Sequence, residues 1–586
     1  MSVQLPPFFL LHFFDPNNTG IPLQGGKLFT YIAGTSTKQA TWTDYTQTIQ
    51  NTNPIILNSR GECSMWLDPT LIYKLVLSPA NDSDPPTSPL NTVDNVNAPA
   101  LNPRTAAEIA ASVTPTNYAY PELNILRYGA DPSGIADSFP AINSASLVAA
   151  QHGGAMVSYP AGTYLVNTTI TMLQNVTHAG AGINATTVKT NGNIPVFTMA
   201  GGATVTINCG GVRDMAIHGS WAASPSNTLS YGISCTGSNG TVFENLRILG
   251  CDVGFYGAFN FESFVTNVKV LGAGGDLNNQ GFVLDYTNST NVNNAFYMVN
   301  CGAFGTQSDG WDIRNGNGSN FVNCAAEACG GYGFSIGFSG TGTINPQFMQ
   351  FSNCTGDSCT SSNWLIQGTV SLPAQDMLFS NCWSGLCATT NWAFINCINT
   401  IFTGCNGISA AQEAIFLDGG DSMTIVGFTG RNFNTSTSGH AGINILNSNN
   451  NFISGCDLST ANTSGGTFGI AENGTSNNNV IDGNLVPQGG QVLGNATRFI
   501  NSKGFNPVGI SGPTSVGASP ATITAGPSPE THYLTQGSTN TATVTKGGKT
   551  LGTLTAGTTL VVELDPNTSY VVTWVTTTPN YIKDIH

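Results

Sequence analysis

The sequence predicts an all-β chain with a parallel solenoid at its centre, and three observations predict it. Charge is scarce: only 8% of the 586 residues are Asp, Glu, Lys or Arg, about a third of the usual share. Helical proteins solvate their outer faces with such residues, whereas a chain poor in them and holding 69 Gly builds its surface from Asn, Ser and Thr on strands. A motif also repeats. "FVNCAAEACG" begins at Phe321, "FSNCTGDSCT" at Phe351 and "FSNCWSGLCA" at Phe379, with shorter echoes "FINC" at Phe394 and "FTGC" at Phe402. This spacing falls in the range of about 20–50 residues that marks solenoids. Between the copies lie short runs such as "YGFSI" and "NWLIQG", broken by Gly, Asn and Ser, which read as strands and turns. Stacked at about 4.8 Å, such coils align like residues as ladders. Phe321, Phe351 and Phe379 form one ladder, and Cys324, Cys354 and Cys382 a second.

Composition excludes several classes. A formal net charge of −15 with 17 scattered basic residues disfavours nucleic acid, which requires clustered Lys and Arg against phosphate. No stretch is long and apolar enough to span a membrane. The apolar opening "MSVQLPPFFLLHFF" lacks a basic segment and is interrupted by two prolines, so it reads as mature protein rather than a secretion signal. The 14 Cys recur as Cys-x4-Cys without His partners, which argues against a zinc site and for buried, reduced thiols. No metal and no cofactor is expected.

Taken in order, residues 1–97 contain "YIAGT", "NPIILNSRGE" and "YKLVLSP", short strands between turns. They resemble the virion-attachment domain of short-tailed phage tailspikes. Residues 98–122, with "APALNPRTAAEIAASVTP", carry prolines and a short Ala-rich helix, a neck between modules. The solenoid is expected over 123–507. Its opening, "YGADPSGIADSFPAINSA" then "GGAMVSYPAGTYLV", resembles the first segment of the pectate-lyase-like right-handed β-helix common in phage tailspikes: a Gly-Ala turn, an Asp near Asp137, a capping helix and a "PAGTY" strand. The amphipathic "FPAINSASLVAA" would plug the open end of the first coil, where sheet edges are otherwise bare. Residues 508–586 begin with a Gly/Pro/Ser-rich stretch and continue with alternating strands such as "TLVVELDP" and "SYVVTWVT". A small β-sandwich that holds subunits together, or binds glycan, is expected there.

Between Leu123 and Pro507 stand 19 carboxylates and nine Lys or Arg, so acid groups are the chemistry on offer. Glu327 and Asp357 each follow the first Cys of a repeat by three residues. Stacked coils would bring them within one strand spacing, where one carboxyl serves as general acid and the other as base or nucleophile of a glycosidase. The bland alternative is a solvated turn. In "SDGWDIRN", Asp309 and Asp312 flank Trp311, and Asp312 and Arg314 share a strand face opposite Trp311 and Ile313; the alternative is a surface strand with an incidental ion pair. Trp311, Trp364, Trp383 and Trp392 lie within 82 residues and would stack on sugar rings if exposed, or fill the core if buried. Glu413, Asp418 and Asp421 in "AQEAIFLDGGDSM" read first as a turn.

The catalytic set is therefore Asp309, Asp312, Glu327 and Asp357 on one flank, with Trp311, Arg314, Trp364 and Trp383 binding substrate. The polygalacturonase pattern is missing: there is no Asn-Thr-Asp strand, paired Asp or Gly-His-Gly, and "SGHAG" around His440 is only a partial echo. The resemblance implies a homotrimeric phage tailspike that recognises and hydrolyses a bacterial surface polysaccharide, O-antigen or capsule. It would join phage tail or portal proteins through residues 1–97, fold in the host cytoplasm and reside in the virion. The alternatives are a non-enzymatic receptor-binding tailspike and a polysaccharide lyase on the same scaffold.

Overall fold

The repeated Phe-x-Asn-Cys motif is one corner of a coil. The computed structural model describes residues 10–585 except 17–19, 45–46, 69–70, 98–101, 200–205, 209, 222–225, 227, 273–276, 287–291, 338–344, 436–438, 461–467, 487–489, 492–495, 503–508, 527–528 and 538–539. The apolar opening at 1–9 and the first neck residues, 98–101, lie outside the described residues. The chain divides into two compact units, Met1–Ala130 with Pro140–His152, and Asp131–Phe139 with Gly153–His586.

Most of the second unit is a parallel β-solenoid built from a 14-stranded and a 24-stranded sheet. One coil shows the pattern. Strand Trp311–Ile313 belongs to the 14-stranded sheet, Asn320–Val322 and Ala325–Glu327 to the 24-stranded sheet, and Phe334–Gly337 returns to the first. Neighbouring coils pair parallel and in register, Phe321 with Phe351 and Phe351 with Phe379. Between the two strands of the larger sheet the backbone turns left-handed, at Asn323 (φ 52°), Asn353 (φ 53°), Asn381 (φ 52°) and Gly404 (φ 62°). Asn and Gly are the residues that tolerate this region, so the motif's asparagine is a bend. The next residue, Cys, points inward. The Cys354 and Cys382 thiols donate to the carbonyls of Phe321 and Phe351 on the preceding coil, at 3.4 and 3.5 Å. The 13 described cysteines are all free and buried.

Two aromatic ladders fill the core. Phe321, Phe351 and Phe379 stack with centroids 4.5 and 5.0 Å apart, planes 6° from parallel. Phe282, Trp311, Phe334, Trp364 and Trp392 stack at 4.0, 5.4, 4.0 and 4.5 Å. The ladders meet edge to face, as Phe351 meets Trp364 at 88°, a favoured geometry for aromatic pairs. The echo at Phe394 is a different corner: it lies on strand Trp392–Ile395 of the 14-stranded sheet. Phe402 continues the Phe379 ladder.

Helix Phe139–Gln151 forms over "FPAINSASLVAA" and buries Ala141, Ile142, Ala145, Val148 and Ala149. The Asp137 carboxylate accepts from the Phe139 and Asn167 N–H groups, both at 3.1 Å. In the first unit, strands Ile55–Ile56, Lys27–Ile32, Ile72–Ser78 and Asn91–Asn97 form an antiparallel sheet in that order, over a core of Leu28, Ile55, Leu57 and Tyr73. The neck is bolted rather than loose. Thr105 and Glu108 form a reciprocal capping box on helix Ala106–Ala110. The wholly buried Arg127 guanidinium donates to both Glu108 oxygens, at 2.5 and 2.9 Å, and to the carbonyls of Asn102, Pro103 and Tyr120.

At the C-terminus, strands Gly509–Ser515, Asn580–Ile585, Glu530–Thr535 and Thr559–Leu564 make one antiparallel sheet. Ala521–Thr524, Ser569–Trp574, Ala542–Lys546 and Lys549–Leu554 make another, and residues of both share one core around Leu534, Val544, Val562 and Val572. Among the described residues no helix is long and apolar enough to cross a membrane.

The left-handed corner gives a direct test. Asn353→Gly should leave the melting temperature of the solenoid near that of the parent. Asn353→Val should lower it, by the equivalent of about 1–2 kcal/mol, the cost of a side chain in left-handed backbone. Equal melting temperatures for the two variants would contradict the corner's role.

Candidate functional site

Alternation along strand Trp311–Ile313 sorts its side chains between the core and the outer face. Trp311 and Ile313 point in and are 0% exposed; Asp312, 9% exposed, and the half-buried Arg314 point out. On this outer face Asp312 pairs in register with Val283 of the coil before and Ser335 of the coil after. Arg314 bridges two carboxylates: its Nη2 lies 2.7 Å from Asp312 Oδ2 and its Nη1 2.6 Å from Asp285 Oδ2. Asp309, in the turn leading into the strand, accepts from the Tyr332 N–H at 2.8 Å. Asp309, Asp312, Arg314, Tyr332, Ser335 and Gln367 line a cleft of about 350 Å³ that also touches Gly337 and Leu365.

Two carboxylates and Arg314 line the cleft, Arg314 also pairs with Asp285 outside the lining, and burial dominates the electrostatics. Burial pushes the Asp309 carboxyl above its usual range; the Tyr332 N–H opposes this and Asp312 adds to it. Burial likewise raises Asp312, against the pull of Arg314, with Asp285 adding to the rise. On the same sheet Tyr256, two coils before Asp312, and Tyr231, three coils before it, stack with centroids 5.6 Å apart and planes 20° from parallel. Both rings are partly exposed, and both feel the charges of Asp285 and Arg314. Burial holds the Tyr256 hydroxyl up at about 12. Asp252, also raised by burial, accepts from the Asn279 amide at 2.9 Å beside them. An aromatic pair next to a desolvated carboxylate pair suits a sugar chain: ring faces hold the pyranose, and a protonated carboxyl can meet a glycosidic oxygen.

Glu327 and Asp357 do stand in register on adjacent coils, but on the 24-stranded sheet, not beside Asp309 and Asp312. The expectation of four carboxylates on one flank is therefore corrected: a coil places these two pairs on different sheets. Glu327 is exposed and Asp357 partly so, with its Oδ1 accepting from the Ser358 hydroxyl. Trp383 keeps a partly exposed ring, which lies over Gly385, the residue paired with Asp357. Trp311 and Trp364 offer no platform to a sugar, because both are 0% exposed within the aromatic ladder. Trp392 is buried with them. Asp418 and Asp421 accept from the Asn447 and Asn450 amides of the next coil, at 3.2 and 3.0 Å. Glu413 is not on a solvated turn; it is 5% exposed. Among the described residues no group of three His, Cys, Asp or Glu stands within reach of one metal ion.

Residues 123–216 match the family model "Rhamnogalacturonase A/epimerase, pectate lyase-like". This stretch contains the Gly-Ala turn, Asp137 and the "PAGTYLV" strand of the solenoid's first coil, so the pectate lyase-like resemblance is carried by the start of the solenoid. No curated protein matches the chain in sequence. Among solved structures, the pre-mature bacteriophage phi29 gene product 12 is 13% identical with a TM-score of 0.48, over 65% of this chain and 56% of that one. Bacteriophage CBA120 tailspike protein 3 is 12% identical with a TM-score of 0.44, over 65% and 62%. The Azotobacter vinelandii mannuronan C-5 epimerase AlgE6 A-module is 18% identical with a TM-score of 0.46, over 66% and 99%.

Sequence reading missed Tyr231, Tyr256, Asp252 and Asp285. They lie outside the Phe-x-Asn-Cys repeats, where spacing gave no register, and only coil stacking brings Asp285 and the two tyrosines near Arg314, with Asp252 beside Tyr231.

The raised pKa of Asp309 makes a stability prediction. Its folded pKa lies above the unfolded 3.8, so its charged form costs stability at neutral pH. As pH falls through the raised value the folded protein takes up the proton first and gains stability relative to the unfolded chain. Asp309→Asn should therefore melt higher than the parent at neutral pH, and the gap should close as pH approaches 4. A lower melting temperature at neutral pH would show that the carboxylate is stabilising instead.

Proposed function

We propose that the protein is a phage tailspike whose solenoid binds and hydrolyses a bacterial surface polysaccharide, O-antigen or capsule. The observation that carries this reading is the cleft in which Asp309 and Asp312, both desolvated, sit with Arg314 beside the Tyr231–Tyr256 ring pair. Asp309 is the general acid: burial favours its protonated form, and Tyr332 engages only its Oδ1. Asp312 is the base or nucleophile, oriented by Arg314. Cleavage of a glycosidic bond needs one carboxyl in each state. Arg314 binds substrate through the guanidinium edge that its two carboxylates leave open.

The resemblance of residues 1–97 to short-tailed phage attachment domains supports their docking to tail or portal proteins, with 98–122 as neck, 123–507 as the polysaccharide-binding and depolymerase domain, and 508–586 as a β-sandwich for trimer assembly or glycan binding. The trimer is synthesised in the host cytoplasm and resides in the virion. Glu327, Asp357 and Trp383 form a second carboxylate pair with an adjacent ring, and their in-register placement supports testing them as a separate subsite.

Single replacements test the assignment. Asp309→Asn and Asp312→Asn should each lower the release of reducing ends from host polysaccharide by about 10²–10⁴-fold, while Glu327→Gln and Asp357→Asn retain most of the rate. Full activity in the first two with loss in the second two would move the centre to the other sheet. A gain of unsaturated-uronate absorbance would identify a lyase, and binding without products a receptor-binding spike.

Assembly is tested by light scattering. The expected mass is a threefold multiple of the 61.0 kDa chain, and a monomer mass would refute the trimer.

A further inference from the structure

A second group of polar side chains occupies the same face, and the cleft does not use it. Register places Asp309, Tyr332, Ser362, Thr390 and Glu413 at one position of five successive coils, each two residues before the paired column Trp311, Phe334, Trp364, Trp392 and Ile415. Asp309 and Glu413 thus stand four coils apart, about 19 Å at one strand spacing per coil. Glu413 is buried, yet the coils on both sides reach its carboxylate. Its Oε1 meets His440 Nδ1 at 2.8 Å and the Asn444 amide at 3.1 Å, and its Oε2 accepts from the Thr390 hydroxyl at 3.1 Å. Asn444 is in the outward column that contains Asp312 and runs on through Ser335, Leu365, Ala393 and Phe416. The His440 side chain is 30% exposed. With Nδ1 held by a buried carboxylate, the tautomer is set and Nε2 is the nitrogen left for solvent or substrate.

We propose that His440 and Glu413 form a second catalytic centre that hydrolyses O-acyl esters on the bound polysaccharide; the inference rests on the glycan-binding reading above. The chemistry of the donor set selects this class. Cutting a glycosidic bond takes a pair of carboxyl groups flanking it, and the one carboxylate here, Glu413, is buried beneath His440, Asn444 and Thr390. Abstracting a proton next to a uronate carboxylate requires a cation to neutralise that group, and no Lys or Arg is among the described partners of Glu413. An ester carbonyl is electrophilic enough for water activated by a neutral imidazole. The water oxygen bonds to the carbonyl carbon as its proton passes to His440 Nε2. The tetrahedral intermediate then collapses, the acyl C–O bond breaks, and Nε2 returns the proton to the departing sugar oxygen. The products are a carboxylic acid and a free sugar hydroxyl, with no change in oxidation state. His440 is the catalytic residue, and Glu413 is a positioning residue.

The test measures acetate release from O-acetylated host polysaccharide and from p-nitrophenyl acetate, alongside depolymerisation, with folding followed by thermal melting. His440→Ala, a partly exposed change that should fold, is expected to lose about 10²–10⁴-fold in ester cleavage on both substrates. Glu413→Gln should lower kcat for ester cleavage with KM little changed, and Glu413→Asp should restore part of the rate, a pattern that a purely structural role would not produce. Asp309→Asn should keep ester cleavage while losing depolymerisation, which separates this centre from the cleft. Acetate release without depolymerisation by the parent would refute the glycosidase reading and leave this one standing. No acetate release from either substrate by the parent protein, or undiminished release by His440→Ala, would overturn the proposal.

Discussion

Every feature of the solenoid depends on one constraint: parallel strands of successive coils pair residue for residue, one strand spacing apart. The larger sheet holds Phe321 against Phe351 and Phe351 against Phe379, and that spacing matches the thickness of an aromatic ring plus contact. Rings can therefore stack face to face within each ladder and edge to face between ladders. The corner at Asn353 serves the same constraint, because a left-handed bend lets the chain change direction without leaving register. The inward thiol that follows donates to a carbonyl on the preceding coil. A shift of one residue between coils would turn the buried ladder out to solvent and the polar column in.

The same register builds the outer face. Because alternation sends Trp311 into the core, it sends Asp312 and Arg314 outward on a backbone that the ladder holds still. Carboxylates on separate coils are then fixed relative to one another by the sheet rather than by flexible loops. Burial within the cleft raises Asp309 and Asp312 together, and Arg314 offsets part of the charge that accumulates. Charge held in so dry a place works against stability, and groups perturbed in this way cluster at functional sites. Glu413 differs in kind. Its carboxylate is engaged from the coils on both sides, so the column that leaves Asp309 with one backbone donor gives Glu413 an imidazole.

The architecture was legible because it repeats. The Phe-x-Asn-Cys spacing revealed the coils, the ladder and the in-register pairing of Glu327 with Asp357. The "YIAGT", "NPIILNSRGE" and "YKLVLSP" segments marked the strands of the first unit, and "FPAINSASLVAA" its helix. The neck was read from its prolines and its short Ala-rich helix. Arg127, about 20 residues beyond Glu108, shows no sequence pattern that announces a buried ion pair. "FINC" imitates the repeat because the same left-handed corner recurs on another side of the coil, where Asn396 has φ 50°.

The candidate site was legible only in part, for a physical reason. Alternation in "SDGWDIRN" by itself determined that Asp312 and Arg314 share one face and Trp311 the other, since successive strand residues point to opposite sides. It could not say which face meets water. Composition, period and corner residues likewise determined a charge-poor stack of coils with buried thiols. Tertiary structure decided that Trp311 and Trp364 are core rather than sugar platforms, because the stacked ladder closes over them. It also decided that Tyr231, Asp285, Arg314 and Asp309, spread over about 80 residues of chain, meet in one place while Glu327 lies on another sheet. Proximity in a solenoid runs across coils, through register summed over insertions of unequal length, and no local pattern in the chain records that sum.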